Sequence, residues 1–167
     1  MRIHAPALLL SCIMMTAAAN AAAGSMSVSF ADPAGFSDAG DTPRERTANL
    51  KALADHLQSL ARRYLPADQL LKVEVLDVQL AGTVHPTPHA GHDLRIVNGG
   101  ADWPRIHLRY TLEASGQQPQ SGEERLADAN YTWGFAGITS SDPLRYEKRL
   151  LDDWFKSRFV EHRQSGS

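Results

Sequence analysis

The segment from Thr42 to Pro66 constrains the fold more than any other. Leu50, Leu53, Ala54, Leu57, Leu60, Ala61 and Tyr64 recur at three- and four-residue spacing, which lays them along one stripe of a helix. Such a helix gains most of its stability by packing that stripe against another layer. Its ends are marked as well. Thr42 can cap, Pro43 suits the first helical position, and Glu45 stands where a capping box needs it. Arg62 and Arg63 bring positive charge to the last turn, and Pro66 stops the helix.

The layer that covers the stripe is legible in three runs. Ser27–Phe30 reads as a short strand, ended by the turn-rich stretches 32–35 and 37–40. Leu70–Leu80 is aliphatic and β-branched and reads as a second strand. In Arg105–Ala114 the alternation is clean: Ile106, Leu108, Tyr110 and Leu112 on one side, His107, Arg109, Thr111 and Glu113 on the other. Ser115-Gly116 then turns the chain, and Gln117–Leu126 returns as a partner strand. A long connection, 81–103, precedes this hairpin and has room for a short strand at Leu94–Val97. After the irregular, aromatic stretch 128–141, Asp142-Pro143 opens a second helix. Leu144, Leu150, Leu151, Trp154, Phe155 and Phe159 form its apolar face, and Asp152 and Lys156 are spaced as a surface pair. The expected fold is α+β: a small antiparallel sheet of about four to five strands, with two main helices packed on one face.

Residues 1–23 read differently. Met1-Arg2-Ile3-His4 is short and basic, Ala5–Ala19 is apolar, and Asn20-Ala21-Ala22-Ala23 supplies the small residues that signal peptidase accepts. That apolar run is shorter than the roughly 20 residues of a membrane-spanning helix. The expectation is a cleaved signal peptide cut after Ala23, with Ala21 the next choice, and a periplasmic chain with no transmembrane segment. Cys12 lies in a sequence resembling a lipoprotein box, but few apolar residues precede it, and Ile13-Met14-Met15 follow where a polar tether belongs. Lipid attachment is therefore not expected. The domain should span 24–160, with 161–167 a frayed tail.

Cys12 is the one cysteine of the chain. The processed domain would hold no disulfide, no thiolate metal site and no cysteine nucleophile. The whole chain carries 17 basic and 19 acidic residues, net −2. Loss of Arg2 with the signal leaves 16 against 19, net −3, a balance that argues against nucleic acid or an anionic membrane as partner.

Several motifs recur together: Asp93-Leu94-Arg95, Gly99-Gly100-Ala101-Asp102-Trp103-Pro104-Arg105-Ile106, Gly122-Glu123-Glu124-Arg125 and the run from Pro143 to Phe155. With Val28–Pro33 and Leu76–Gly82, they make the chain resemble a proteobacterial family, the domain of unknown function 3016 family, from about Val28 to Phe159. The resemblance implies a single exported domain of Gram-negative bacteria and assigns no ligand or catalytic residue. The tract His85–His92 fits it least.

Three constellations could carry chemistry. His85, His89 and His92, beside Asp93, offer the ligand types that bind zinc or copper. Pro86 and Pro88 keep that tract extended, however, which favours a solvated loop. Nothing else in the chain calls for a cofactor. Asp93, Arg95, Asp102, Arg125, Asp128 and Asn130 sit at the ends of expected elements and could bind a small polar ligand. Alternatively, two of their carboxylates could divide acid and base roles, or the set could merely close turns. Among the aromatic residues Trp103, Tyr131, Trp133, Phe135 and Trp154, Trp103 and Trp154 read as core anchors beside apolar runs. Trp133 is the one expected to be exposed and able to grip a ligand or partner. No Gly-x-Ser-x-Gly elbow, phosphate-binding glycine loop or His-Glu-x-x-His motif occurs. The leading expectation is a non-catalytic periplasmic domain that binds a protein or small ligand or helps maintain the envelope. A small metal- or carboxylate-dependent enzyme and metal binding by the His tract are the alternatives.

Overall fold

The computed structural model describes residues 23–87, 93–133 and 140–161. β1 (Ser25–Phe30) leads through a turn-rich loop to α1 (Pro43–Tyr64) and then to β2 (Gln69–Gln79). A small hairpin, β3 (Thr83–His85) and β4 (Leu94–Ile96), lies within the connection to β5 (Arg105–Ala114) and β6 (Gln120–Ala127). α2 (Arg145–Lys156) follows, continued by a π-helical turn, Ser157–Glu161. The main sheet has the order β1-β2-β5-β6, and β3-β4 forms a separate two-stranded sheet. This is the expected α+β architecture.

The sheet is not the antiparallel one expected but mixed, because β1 and β2 run parallel while the other two pairings are antiparallel. The cause is the crossover through α1, which returns the chain to the end of the sheet where β1 began. The Thr42 Oγ1 accepts from the Glu45 N–H at 3.1 Å, with Pro43 in the first turn. The reciprocal bond of the box lands one residue early, since Glu45 Oε2 accepts from the Asp41 N–H.

One bulge sets the face of β2. Leu71, Val73 and Val75 point inward, and strict alternation would next bury Asp77 and Gln79. Between Val75 and Asp77 the register against β5 slips by one residue, so Val78 and Leu80 turn inward instead. Asp77 stays outside, where it accepts from the N–H of Ser37 at 2.7 Å and its Oγ at 2.6 Å. That ties the β1–α1 loop to the sheet.

A single core joins the inward residues of β2 and β5 to the α1 stripe and to Leu150, Leu151, Trp154 and Phe155 of α2. Phe155 is fully buried and touches the rings of Tyr64, Trp154 and Phe159. Tyr110 reaches Trp154 and Phe159 over Gly122, where a Cβ would lie 2.7 Å from the tyrosine hydroxyl. The opposite face of the sheet is polar and holds the cross-strand pairs Lys72–Glu113, Arg109–Glu74 and His107–Glu123.

Three further details depart from the expectations above. β6 begins at Gln120, because Pro119 has no N–H to give to a ladder. α2 begins at Arg145 with no side-chain cap: Asp142 instead accepts from the Leu144 N–H and holds Lys148. Asp152 pairs with His56 Nε2 at 2.8 Å, across to α1, in place of the surface pair with Lys156. No described helix is long and apolar enough to cross a membrane. Residues 1–22, nearly all of the stretch 1–23 expected to be a signal peptide, and residues 162–167 of the expected tail lie outside the described residues.

Phe155→Ala should lower the unfolding free energy by about 3–5 kcal/mol. Urea denaturation followed by circular dichroism checks this.

Candidate functional site

Beneath the β3–β4 hairpin a second, smaller cluster gathers Ala81, Tyr131 and Tyr146, with Val97 and Trp103 against it. Three pieces of chain meet there: the 81–103 connection, the turn 128–133 and the first turn of α2. Each is pinned by polar groups. Ala81 N–H donates to Glu147 Oε1 at 2.6 Å, and Gly82 N–H donates to the Asp102 carbonyl at 2.8 Å. Arg95 forks onto Asp38 at 2.8 and 2.9 Å, with Asp41 3.6 Å away. Burial works against the Arg95 charge, but its bond to Asp38 and the neighbouring carboxylates outweigh that and hold the proton.

Asp102 organises the turn before β5. Its carboxylate accepts from Tyr131 Oη at 2.7 Å and from the N–H groups of Gly100 and Asn98 at 2.9 and 3.2 Å. Burial opposes its ionisation, yet these donors together hold its carboxyl below the ordinary range. Tyr131 is fully buried. Burial first, and then the Asp102 bond, push its hydroxyl up to about 12. Its ring meets Tyr146 edge to face at 4.9 Å, and the Arg145 guanidinium lies over Tyr146 at 4.4 Å.

Glu147 is the conspicuous group. It is 1% exposed, and its Oε2 is buried without a hydrogen-bond partner among the described residues. Burial raises its pKa against the Ala81 bond and the charges of Arg95 and Arg145. Sequence reasoning passed over it, though a signal was there. Glu147 stands three, four and seven residues before Leu150, Leu151 and Trp154, on the apolar stripe itself.

Beside this cluster a cleft of about 250 Å³ opens along α2, lined by Arg145, Lys148, Arg149, Asp142, Asp152 and Ser140, with Tyr146 at its wall. Lys148 holds Asp142 at 2.6 Å, Arg149 holds Asp128, and His56 holds Asp152. Burial opposes ionisation of Asp142, but Lys148, the Leu144 N–H and His56 hold it below the ordinary range. Arg145 differs: Nη1 donates to the Asp142 carbonyl and Nη2 to Tyr146 Oη, while Nε is buried without a partner among the described residues.

The polar set expected from sequence is only partly assembled. Arg95, Asp102 and Trp103 border the small cluster, and Asp128 reaches the cleft through Arg149. Trp103 is half-buried there under Arg105, 4.6 Å from its ring. Arg125 stands on the outer face of β6 opposite His107. Asp93 is exposed at the start of β4, and Asn130 is exposed in a turn closed by its N–H on Asp128. Asp102 is held by Tyr131 and the Gly100 and Asn98 N–H groups, Asp128 by Arg149 and the Asn130 N–H, and Asp93 is exposed, so among the described residues no two of these carboxylates share a partner. Trp154 is a core anchor, Tyr131 is buried, and Trp133 is 79% exposed. Phe135, His89 and His92 lie outside the described residues. His85 is exposed on β3, and among the described residues no three His, Cys, Asp or Glu side chains gather as a metal site.

Fold and site together define a compact α+β domain built around a polar knot at the start of its last helix. The chain belongs to the family described as Protein of unknown function (DUF3016), whose model matches residues 24–157. No curated protein matches it.

A raised Glu147 pKa means that the folded state binds this proton more tightly than the unfolded chain. Ionisation therefore works against the fold as pH rises from the unfolded value through the folded one. Glu147→Gln should be more stable than wild type at pH 8, with the gap closing near pH 4, in urea titrations at both values. Glu147→Leu strands the Ala81 N–H and should cost about 1–3 kcal/mol at pH 4. Asp102 has the opposite sign: its contribution is present above the unfolded value and lost as pH falls through the depressed one. Tyr131→Phe removes a donor, so acid unfolding should begin at higher pH, with a loss of about 0.5–1.5 kcal/mol at neutral pH.

Proposed function

We propose that this protein is a non-catalytic, exported binding domain whose cleft beside α2 holds a small anion, a carboxylate or a phosphate. The observation that carries this reading is Arg145. It lines the cleft with Lys148 and Arg149, and its Nε is a buried cationic donor left unmatched among the described residues. Leaving such a donor unpaired is costly, and an anion entering the cleft would relieve that cost. Asp142 and Asp128 are already held by Lys148 and Arg149, and Asp152 by His56, so they support the shape of the site more naturally than proton transfer. Export is supported by the basic, apolar and small-residue order of residues 1–23, which implies the periplasm as the compartment.

Thermal unfolding of the purified protein with inorganic phosphate or citrate, against chloride at equal ionic strength, tests the reading. One of the two anions should raise Tm. Arg145→Gln should weaken that anion roughly tenfold or more, as loss of a charged hydrogen bond of about 1.5–3 kcal/mol implies. Equal shifts in wild type and variant, or none with either anion, would overturn it. A hydrolytic turnover abolished by Asp142→Asn in a folded protein would replace it with an enzymatic reading.

A further inference from the structure

The loop between β1 and α1 leaves a groove of about 440 Å³ against the first turns of the helix. Phe30, Pro33, Ala34, Pro43 and Leu50 give it apolar walls, and Arg46, Thr47 and Lys51 form the side built by the helix. Its volume lies within the roughly 300–1,000 Å³ range of small-molecule sites. Behind Phe30 a second void of about 10 Å³ lies among Leu53, Leu57 and Val75. One ring, packed edge to face on Phe36 at 6.3 Å, therefore stands between the groove and the core.

The charges at the rim are of one sign. The Arg46 guanidinium has no hydrogen bond or ion pair among the described residues. Lys51 reaches Asp55 at 2.6 Å in a pair exposed on both sides, and such pairs contribute little and exchange readily. Glu45 is engaged with the Asp41 N–H, and Asp32, next to Pro33 in sequence, does not line the groove. An apolar trough with a cationic rim suits an alkyl chain that ends in an anion. The planar guanidinium matches a carboxylate through two parallel hydrogen bonds.

We propose that this groove binds a saturated medium-chain fatty acid. The chain lies along Phe30, Pro33, Ala34 and Leu50, and the carboxylate sits on Arg46 with Lys51 beside it. A neutral alkyl group would leave the cations unused, and a short acid would leave the walls wet. The site shares no lining residue with the cleft beside α2 and does not depend on it.

Titration calorimetry of the purified protein with dodecanoate below its micellar concentration tests this, with dodecanol, dodecyltrimethylammonium and butyrate as comparisons. One dodecanoate should bind per chain, at least roughly tenfold tighter than any of the three. Arg46→Gln should weaken it by a similar factor. Ala34→Trp fills the groove from an exposed loop position and should abolish binding, with Thr47→Trp as a second filling variant should the first not fold. Absence of saturable binding, equal binding of dodecanol, or dodecanoate binding unchanged in a folded filling variant would each overturn the proposal. So would a dimer, seen by sedimentation velocity, that the filling variants disperse, since the groove would then belong to a second copy.

Discussion

The slipped residue in β2 is the constraint on which the rest of the molecule hangs. β2 is a central strand with a neighbour on each side, and it must face its apolar residues to both helices along its whole length. Its sequence cannot do that with period two, because the apolar positions change parity between Val75 and Val78. The bulge absorbs that change. It leaves Asp77 outside to hold Ser37, and it lets Leu80 finish inside the core. The chain then leaves the strand at Ala81 and Gly82 in the place where Glu147 and Asp102 can take their N–H groups.

The polar knot follows from that exit. An irregular connection crossing the end of a sheet carries backbone groups that need partners, and here side chains from α2, β4 and the Asp102 turn supply them. The cost is a carboxyl with one buried oxygen unmatched among the described residues. Two of the α2 residues at the knot, Arg145 and Tyr146, also line the cleft, while Glu147 beside them does not. Arg145 and Tyr146 face both, so the ligand proposed for the cleft would act on the same ring contacts that hold Tyr131 in place.

The elements with strong periodicity were legible in the sequence. The α1 stripe, the one-sided alternation of β5 and the apolar face of α2 each appear where spacing put them, because each buries one face against one layer. The parallel partner of β1 was less legible, since strand direction depends on where the crossover lands and leaves no mark in the strand itself. The cap of α2 shifted because Asp142 had a stronger use holding Lys148. Of the candidate site, Arg95, Asp102 and Asp128 were visible as charged residues at element ends, but their partners were not. Asp38, Arg149 and Tyr131 are distant in sequence, and nothing in local spacing announces such pairs. Glu147 was the exception, a charge standing on an apolar stripe.

The order of strands also ranks the pairings by how much chain must be gathered to make them. β5 and β6 are joined by residues 115–119 alone, so their ladder closes at small entropic cost. β2 meets β5 only after residues 80–104 have been looped out, and β1 meets β2 only across 31–68, with α1 wound between them. The central strand is thus held on both sides by distant partners. The sheet has one local seam and two remote ones, and the remote ones enclose most of the core.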